Sequence, residues 1–409
     1  MSGPPNNLNN VMLKSNTSCV MPHMGLAIQN DGDFCACNLN NWSFTNRKQE
    51  ILFADKNTLT EAWASHTRKM LAAGLDYGKT INSCSPCTDT EASGKVSTRQ
   101  KLNQQFGHLD SLPDQPRILI MKPGNVCNLA CRMCNPATST GWYQNAYQIA
   151  TEHDGFAGTI QDYTKRFESI RSAFDRENPI WETMEQWLPN IEFFDIYGGE
   201  PFLSPGLFRT LKTVADAGKS SGVALQLHTN ATIWNPEYLD ILTKYKHVKI
   251  GISIDSDVHE HLEYIRYPVD SKLVFENLQR YKDWASNHNN IELYICVTIT
   301  PLNIFYLDSI KKNLSKHGLP IGASNFVHSP PEYDIRHMPT ELKKIVAEKI
   351  SRDTATIRFM MQQIPEYISY DVNAWDWFWH ITKDLDRIRG QSFESTFPEF
   401  YDVIKPFLT

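Results

Sequence analysis

The chain has 409 residues, of which 41% are hydrophobic and 21% charged, a composition typical of a globular protein of roughly two or three domains. The formal net charge of −6 gives no reason to expect binding to large nucleic acids or to a membrane surface, and no apolar run is long enough to span a bilayer. The N-terminus lacks the charged and apolar regions of a signal peptide, so we expect a cytoplasmic protein.

The nine cysteines are concentrated near the N-terminus, and without a secretion signal they favour metal or redox chemistry over disulfides. Cys296 is separate from the others in an apolar run, and we expect it to be a small buried core residue. The remaining eight lie in the first third of the chain: Cys19, Cys35, Cys37, Cys84, Cys87, Cys127, Cys131 and Cys134.

The N-terminal region begins with a polar, Asn-rich segment at 1–17, which we expect to be a flexible arm. An Asn-Asp-Gly turn then separates apolar runs at 26–29 and 34–36, which predicts a β-hairpin. Residues 58–73 have apolar side chains at helical spacing, with Gly74 as the expected end of the helix.

Four cysteines of this region have the spacing of a metal or cluster site. Cys84 and Cys87 form a Cys-x2-Cys turn, and the hairpin brings Cys19 and the Cys35/Cys37 pair towards each other. Cys35 is a spare thiol that could replace Cys37. A zinc ribbon made of the same four cysteines is the alternative to an iron–sulfur cluster.

A second cysteine group follows a strand-like apolar run at 118–121 and a Pro-Gly pair that begins a loop. Cys127, Cys131 and Cys134 have spacings of x3 and x2, so that one loop offers three thiols. Thiolates are the usual ligands of iron–sulfur clusters, and three of them leave one iron of a 4Fe–4S cluster open. The alternative is a structural zinc loop completed by a distant Cys or His.

After a polar linker at about 100–115, strand-like runs alternate with helical segments, which predicts parallel βα units and an α/β fold built on a partial (β/α)6 TIM-like barrel. The six runs are 117–121, 191–197, 223–228, 247–254, 291–299 and 321–327. The helical segments between them are 205–217, 236–245, 271–286 and 304–316, with an extra helical insertion expected within 136–188. Helical stripes at 342–364 and 375–390 predict a C-terminal helical region.

Polar motifs lie where the predicted strands end, which is where active groups of parallel barrels lie. Gly198 and Gly199 allow close backbone approach to a ligand, and Glu200 can accept hydrogen bonds from an ammonium group. Later strand ends and one arginine beyond them add further candidates: Thr229, Asn230, Ser253, Asp255 and Arg266. The alternatives are a simple turn for the glycines, turn and cap chemistry for Asn and Asp, and a surface ion pair for Arg266.

On these motifs the chain resembles the radical SAM superfamily, whose signature is Cys-x3-Cys-x2-Cys after the first barrel strand, followed by a Gly-Gly-Glu motif. The resemblance implies that Cys127, Cys131 and Cys134 bind a 4Fe–4S cluster that chelates S-adenosylmethionine (SAM) and reductively cleaves it to a 5′-deoxyadenosyl radical. It also implies that residues 198–200 bind the SAM amino group. Met133, at a position usually aromatic in the family, is expected to lie against the adenine. The resemblance implies that the remaining candidates bind the ribose hydroxyls and the SAM carboxylate: Thr229, Asn230, Ser253, Asp255 and Arg266.

The N-terminal cysteines resemble the twitch and SPASM modules that accompany many radical SAM enzymes. The order and spacing match at five positions: Cys19, Gly32, Cys37, Cys84 and Cys87. The module precedes the radical SAM loop rather than following it, and the later cysteines of a full SPASM pattern are missing. The resemblance therefore implies one auxiliary cluster at most.

These expectations divide the chain into an arm at 1–17, a twitch/SPASM-like module at 18–100, a radical SAM core at 115–330 and a helical region at 331–409. The resemblance implies a peptide or protein substrate and a one-electron donor such as flavodoxin or ferredoxin, with no membrane or nucleic-acid partner. The alternatives are a radical SAM enzyme acting on a small molecule or nucleotide precursor, and a non-catalytic zinc-stabilised binding module.

Overall fold

The computed structural model describes six stretches of the chain: 13–40, 42–107, 112–152, 180–322, 325–363 and 374–408. Two compact units account for them. The first contains the described residues of Met1–Asn125, Arg166–Leu227 and Asn235–Val248, and the second those of Val126–Lys165, His228–Trp234 and Lys249–Thr409. Within these stretches, helices are too short or too polar to cross a lipid bilayer.

The first unit begins with a hairpin and short helices. The predicted hairpin is confirmed, with β1 antiparallel to β2 and Ala27 opposite Cys35. The elements are α1 (Met21–Met24), β1 (Gly25–Ile28), β2 (Phe34–Cys35), α2 (Leu59–Trp63), α3 (His66–Asp76), α4 (Ser85–Ala92) and α5 (Thr98–Phe106).

Two local predictions for this region are wrong. The single helix expected at 58–73 is divided into α2 and α3 by a turn at Ala64, and α3 continues past Gly74 to Asp76. The polar linker expected at 100–115 is helical over α5, because Ser97 and Gln100 form a capping box that begins a helix there. Polar composition alone therefore does not distinguish a linker from an exposed helix.

The main sheet has seven strands in the order β2-β1-β3-β4-β5-β6-β7. Strands β1, β3, β4 and β5 run parallel, and their registers place Gly25 beside Ile118, Ile118 beside Phe193, and Phe193 beside Ala224. The added strands are β3 (Ile118–Met121), β4 (Phe193–Ile196), β5 (Ala224–Thr229), β6 (His247–Ser253) and β7 (Ile291–Cys296). The pairing of β1 with β3 has no signal in the sequence pattern.

Helices lie between the strands, as the α/β prediction requires, and that fold class is confirmed. The elements are α6 (Tyr143–Glu152), α7 (Ile180–Trp187), α8 (Pro205–Asp216), α9 (Pro236–Leu242), α10 (His259–Ile265), α11 (Ser271–Ala285) and α12 (Leu307–Leu314). Three predicted helices, 205–217, 236–245 and 271–286, correspond to α8, α9 and α11. Part of the insertion expected within 136–188 lies outside the described residues.

The fifth predicted strand is interrupted. The run at 291–299 divides into β7 and β8 (Thr298–Ile299). Within the described residues of the run at 321–327, which exclude 323 and 324, β9 (Asn325–Phe326) lies parallel to β8. Asp255 Oδ1 accepts a hydrogen bond from Thr298 N at 2.7 Å, so a side chain replaces a strand partner at the break. Cys296 is buried, as expected of a core residue.

The C-terminal region is helical, which confirms that part of the prediction. The stripe at 342–364 forms α13 and α14, and the stripe at 375–390 forms the long helix α15. Phe378 and Leu385 on α15 are fully buried. The elements are α13 (Thr340–Lys349), α14 (Thr354–Met360), α15 (Ala374–Arg389), α16 (Phe393–Thr396) and α17 (Pro398–Ile404).

Gly206, near the start of α8, should not tolerate a larger residue. A Cβ atom there would lie 2.5 Å from the buried indole of Trp181 on α7. We expect Gly206→Ala to lower the free energy of unfolding by about 1–3 kcal/mol, because a well-packed ring cannot move without cost. Gly222→Ala is the control, since a Cβ there meets nothing within 4 Å. Urea denaturation of both variants checks this, and equal stabilities would contradict the packing.

Candidate functional site

The structure places the polar candidate residues at strand ends, as the sequence predicts. Strand β3 ends at Met121 before the cysteine loop, residues 127–134, and β4 ends at Ile196 before the Gly-Gly-Glu motif. Strand β5 ends on Thr229 and β6 on Ser253. The side chains therefore come from loops beyond the carboxyl ends of successive strands, where catalytic groups of parallel barrels are found.

The three thiols of the cysteine loop converge. Cys131 and Cys134 share a hydrogen bond, which raises the pKa of the Cys131 thiol well above its usual value and lowers that of Cys134. Cys127 is near enough to Cys134 to raise its pKa electrostatically, whereas the cation of Arg266 lowers the pKa of both Cys131 and Cys134. One loop therefore presents three sulfur ligands beside a positive charge.

The backbone of the cysteine loop is fixed by contacts that belong to no regular secondary structure. The Ala130 amide donates to Tyr267 O at 2.6 Å, and the Arg132 amide donates to Ile265 O at 2.8 Å. Four carbonyl oxygens accept from side chains: Cys127 O from Thr140 Oγ1, Leu129 O from Ser139 Oγ, Ala130 O from Arg389 Nη2, and Cys131 O from Trp142 Nε1.

Arg266 and Asp255 form a buried ion pair, which contradicts the alternative of a surface pair. Arg266 Nε lies 2.7 Å from Asp255 Oδ2, although the N–H does not point at that oxygen. Burial alone would lower the pKa of Arg266, but Asp255 and Cys131 raise it above its ordinary value. Because Asp255 also accepts from Thr298 N, its carboxylate is already engaged within the protein.

The remaining candidates of the second unit differ in their surroundings. Asn230 Nδ2 donates to Asn128 Oδ1 at 3.0 Å and lies 3.9 Å from Cys127 Sγ, which brings it to the cysteine loop. Thr229 Oγ1 accepts from Ala231 N, and Asn230 Oδ1 accepts from Thr232 N, which is the turn chemistry offered as the alternative. Ser253 and Met133 are half-buried.

The Gly-Gly-Glu motif lies in the first unit and has the backbone that its glycines predict. Gly198 and Gly199 have φ values of 77° and 56°, a region that favours glycine. A Cβ atom on Gly198 would lie 2.8 Å from Lys122 Cβ, so the backbone passes close to the end of β3. Glu200 is buried and accepts a hydrogen bond from Phe202 N at 3.2 Å.

The four N-terminal cysteines that the sequence grouped act electrostatically on one another. Burial raises the pKa of the Cys37 thiol well above its usual value, and Cys87, Cys19, Cys35 and Cys84 raise it further. Burial also raises the pKa of Cys19 to about 12, with contributions from Cys87 and Cys84. Thiols of this kind stay protonated unless a metal or cluster displaces the proton.

The contacts of Cys35 distinguish it from Cys37. Cys35 Sγ donates to Cys37 O at 3.2 Å and accepts from Gln29 Nε2 at 3.0 Å, and Gln29 Oε1 accepts from Lys122 Nζ. The charged groups that act on Cys35 are Asp33, Lys122 and Asp31 rather than Cys84 or Cys87. The geometry therefore favours Cys37 as the fourth member of the group.

The Glu91–Arg99 ion pair, which the sequence pattern does not identify, fixes the segment that contains Cys19. Arg99 Nε donates to Glu91 Oε1 at 3.0 Å, and Arg99 Nη1 donates to Ser18 O at 3.1 Å. Asn103 contacts both neighbours of Cys19, because its side chain accepts a hydrogen bond from Val20 N and donates one to Ser18 O. The periodicity of α5 could indicate the helix itself. Nothing in the sequence indicates that this helix contacts the segment around Cys19.

Comparison with known proteins identifies the central part of the chain. Residues 121–300 match the Radical SAM superfamily. This segment is a radical SAM domain. The domain begins at the last residue of β3 and includes the cysteine loop and the Gly-Gly-Glu motif.

The radical SAM domain also has distant structural neighbours. Native anSMEcpe with bound AdoMet shares 15% identity over 59% of this chain and 62% of its own, with a TM-score of 0.35. Streptococcus suis SuiB bound to S-adenosylmethionine shares 13% identity over 59% of this chain and 45% of its own, with a TM-score of 0.32. This chain thus spans less than two thirds of either neighbour. No curated protein sequence matches it.

The superfamily implies a 4Fe–4S cluster and SAM, and the cysteine loop fits that group. Among the described residues, no three His, Cys, Asp or Glu side chains are arranged to hold a single metal ion. An iron–sulfur cluster requires a different arrangement from a single metal ion, because each thiolate binds its own iron atom. Three converging thiols on one fixed loop, beside the Arg266 cation, provide that donor set.

Gly198 should be more sensitive to substitution than a glycine with the same φ and free space around it. We expect Gly218→Ala to cost about 1 kcal/mol of unfolding free energy, because its φ is 69° and a Cβ there meets nothing within 4 Å. Gly198→Ala should cost about 1–3 kcal/mol more, because of the contact with Lys122. Chemical denaturation measures both, and an equal cost would mean that the close approach is unimportant.

Proposed function

We propose that the protein is a radical SAM enzyme that reductively cleaves SAM at a 4Fe–4S cluster, forming a 5′-deoxyadenosyl radical. The observation that carries the proposal is the convergence of Cys127, Cys131 and Cys134 on one loop of the radical SAM domain. Three thiolates leave one iron without a protein ligand, which is where SAM chelates. The bound cofactors supply the electron and the radical; the protein supplies binding, orientation and exclusion of water.

The protein residues have separate proposed roles towards SAM. Arg266 offers its guanidinium to the SAM carboxylate, and Asp255 acts through Arg266 by fixing its position and charge. Glu200, with the glycines at 198–199, binds the SAM amino group. Met133 packs against the adenine. Polar side chains at two strand ends hold the ribose: Thr229, Asn230 and Ser253.

We further propose that Cys19, Cys37, Cys84 and Cys87 bind an auxiliary iron–sulfur cluster. The support is that they act electrostatically on one another, with Cys87 buried and the other three thiols partly buried. Cys35 is not a ligand in this proposal, because its thiol donates to Cys37 O. The 18–100 segment then functions as a twitch/SPASM-like module, followed by the core at 115–330 and the helical region at 331–409.

The proposed substrate is a peptide or protein, by the resemblance of the cysteine-rich segment to modules of peptide-modifying enzymes. The proposed electron donor is a flavodoxin or a ferredoxin. All nine cysteines lie in the described residues and none of them forms a disulfide, which suits a reducing compartment such as the cytoplasm. A peptide substrate also suits a protein whose negative net charge gives no support for nucleic-acid binding.

Cys131 should be indispensable to the reaction. We expect anaerobically reconstituted wild-type protein to convert SAM to 5′-deoxyadenosine when reduced, and Cys131→Ala to form none, because two thiolates cannot retain the cluster. The variant should lose about four irons and four sulfides per chain relative to wild type. Iron and sulfide analysis with product chromatography checks both. A colourless wild-type protein that contains zinc and no sulfide would contradict the proposal.

The two cysteine groups should be independent. We expect Cys84→Ala to lose the auxiliary iron and sulfide while keeping the first cluster and SAM cleavage, because Cys84 belongs to the N-terminal group alone. Cys35→Ala is the matched control and should keep both sets of iron. Electron paramagnetic resonance separates the two clusters. Cys37→Ala should lose the auxiliary iron. If Cys35→Ala loses it and Cys37→Ala keeps it, Cys35 rather than Cys37 is the fourth ligand.

A further inference from the structure

Helix α15 contacts the cysteine loop through two buried arginines, one on each side of the contact. Arg132 lies between two of the loop cysteines and its side chain is fully buried. Arg389 is the last residue of α15 and is 8% exposed. Burying a guanidinium group costs free energy unless the group is paired. The partners of these two arginines therefore indicate the role of the contact.

Arg132 is held by the far end of the chain. Its Nη2 donates to Asp386 Oδ1 at 2.5 Å and to Gln391 Oε1 at 3.0 Å. The guanidinium also lies over the ring of Tyr264, 3.6 Å from the centroid. Asp386 is the centre of this network, because it also accepts from the Tyr264 hydroxyl at 2.7 Å and from Phe393 N at 2.6 Å.

Arg389 contacts the loop backbone directly. Its Nη2 donates to Ala130 O at 2.8 Å, and its guanidinium lies beside the rings of Trp142 and Tyr267. Both aromatic residues bond the loop themselves, since Trp142 Nε1 donates to Cys131 O and Tyr267 O accepts from Ala130 N. Arg389 therefore completes a set of contacts that fixes the peptide groups on both sides of Cys131.

We propose that α15 is part of the cluster site, and that Arg132, Asp386 and Arg389 are positioning residues that fix the cysteine loop and set the charge beside its thiolates. The inference rests on the proposed function for its redox consequence, but its structural part applies to the metal-free protein as well. Arg389 and Arg266 both act electrostatically on Cys131, so removing a charge from this network changes the field at the cluster.

Two substitutions in this network should shift the reduction potential of the cluster in opposite directions, which a loss of packing alone would not do. Asp386→Asn leaves the Arg132 guanidinium uncompensated, which should make the reduction potential of the cluster more positive, because the reduced cluster is more negative. Arg389→Met removes a cation and should make the potential more negative. Spectroelectrochemical titration of reconstituted full-length protein measures both shifts.

Matched controls come from an exposed ion pair of the same helix. Arg387 on α15, with its side chain 50% exposed, pairs with Glu152 on α6, whose side chain is 38% exposed. We expect Glu152→Gln and Arg387→Met, which also remove one negative and one positive charge, to leave the potential at the wild-type value, because solvent screens them.

The positioning role is tested in the metal-free full-length protein by hydrogen exchange. We expect the amides of Ala130 and Arg132, which bond Tyr267 O and Ile265 O, to exchange at least tenfold faster in Asp386→Asn and Arg389→Met than in the two controls. Arg389→Lys keeps the cation but not the planar fork, so it should keep the wild-type potential while exchange accelerates.

Two results would overturn the inference: exchange in both test variants equal to the controls, or potential shifts of the same sign in Asp386→Asn and Arg389→Met. If Asp386→Asn does not fold, the comparison of Arg389→Met with Arg389→Lys still decides. A wild-type protein that binds no iron–sulfur cluster would defeat the proposed function alone, since the exchange experiment needs no cluster.

Discussion

The peptide groups of the cysteine loop have no helix or strand to pair with, and the candidate site depends on how they are satisfied. Buried amides and carbonyls must find partners, and here side chains of the following segment and the backbone at 265–267 provide them. The consequence is a loop without regular secondary structure whose geometry is nevertheless fixed. Three thiols can converge only because the backbone between them is held in this way.

Buried charge is arranged around the same loop in pairs. Arg266 with Asp255 and Arg132 with Asp386 place two guanidinium groups near the cysteines, each with a carboxylate beside it. Such pairs contribute little net stability, because desolvation offsets most of their attraction. Their value is orientation, since removing one member leaves a buried charge and a displaced partner. The proposed binding of anionic sulfur ligands next to SAM would require that kind of fixed electrostatic environment.

The N-terminal segment is joined to the sheet of the radical SAM domain rather than merely preceding it. Strand β1 extends the sheet beyond β3, the strand that leads into the cysteine loop. Lys122 at the end of β3 bonds Gln29, which in turn bonds Cys35 of the hairpin. The cysteine-rich hairpin and the first strand of the domain are therefore one hydrogen-bonded structure, which explains how so small a segment forms without a large core of its own.

The sequence by itself determined the local elements and the candidate ligand residues. Cysteine spacing, glycines that require positive φ and alternating strand and helix periods identified the cysteine loop, the Gly-Gly-Glu turn and helix α15, because each depends on residues close together in the chain. Only the tertiary structure decided that Arg132 pairs with Asp386, 254 residues away, that β1 lies beside β3, and that the Cys35 thiol donates to Cys37 O. These are choices among chemically similar partners, and they are settled by packing between distant segments, for which local spacing contains no information.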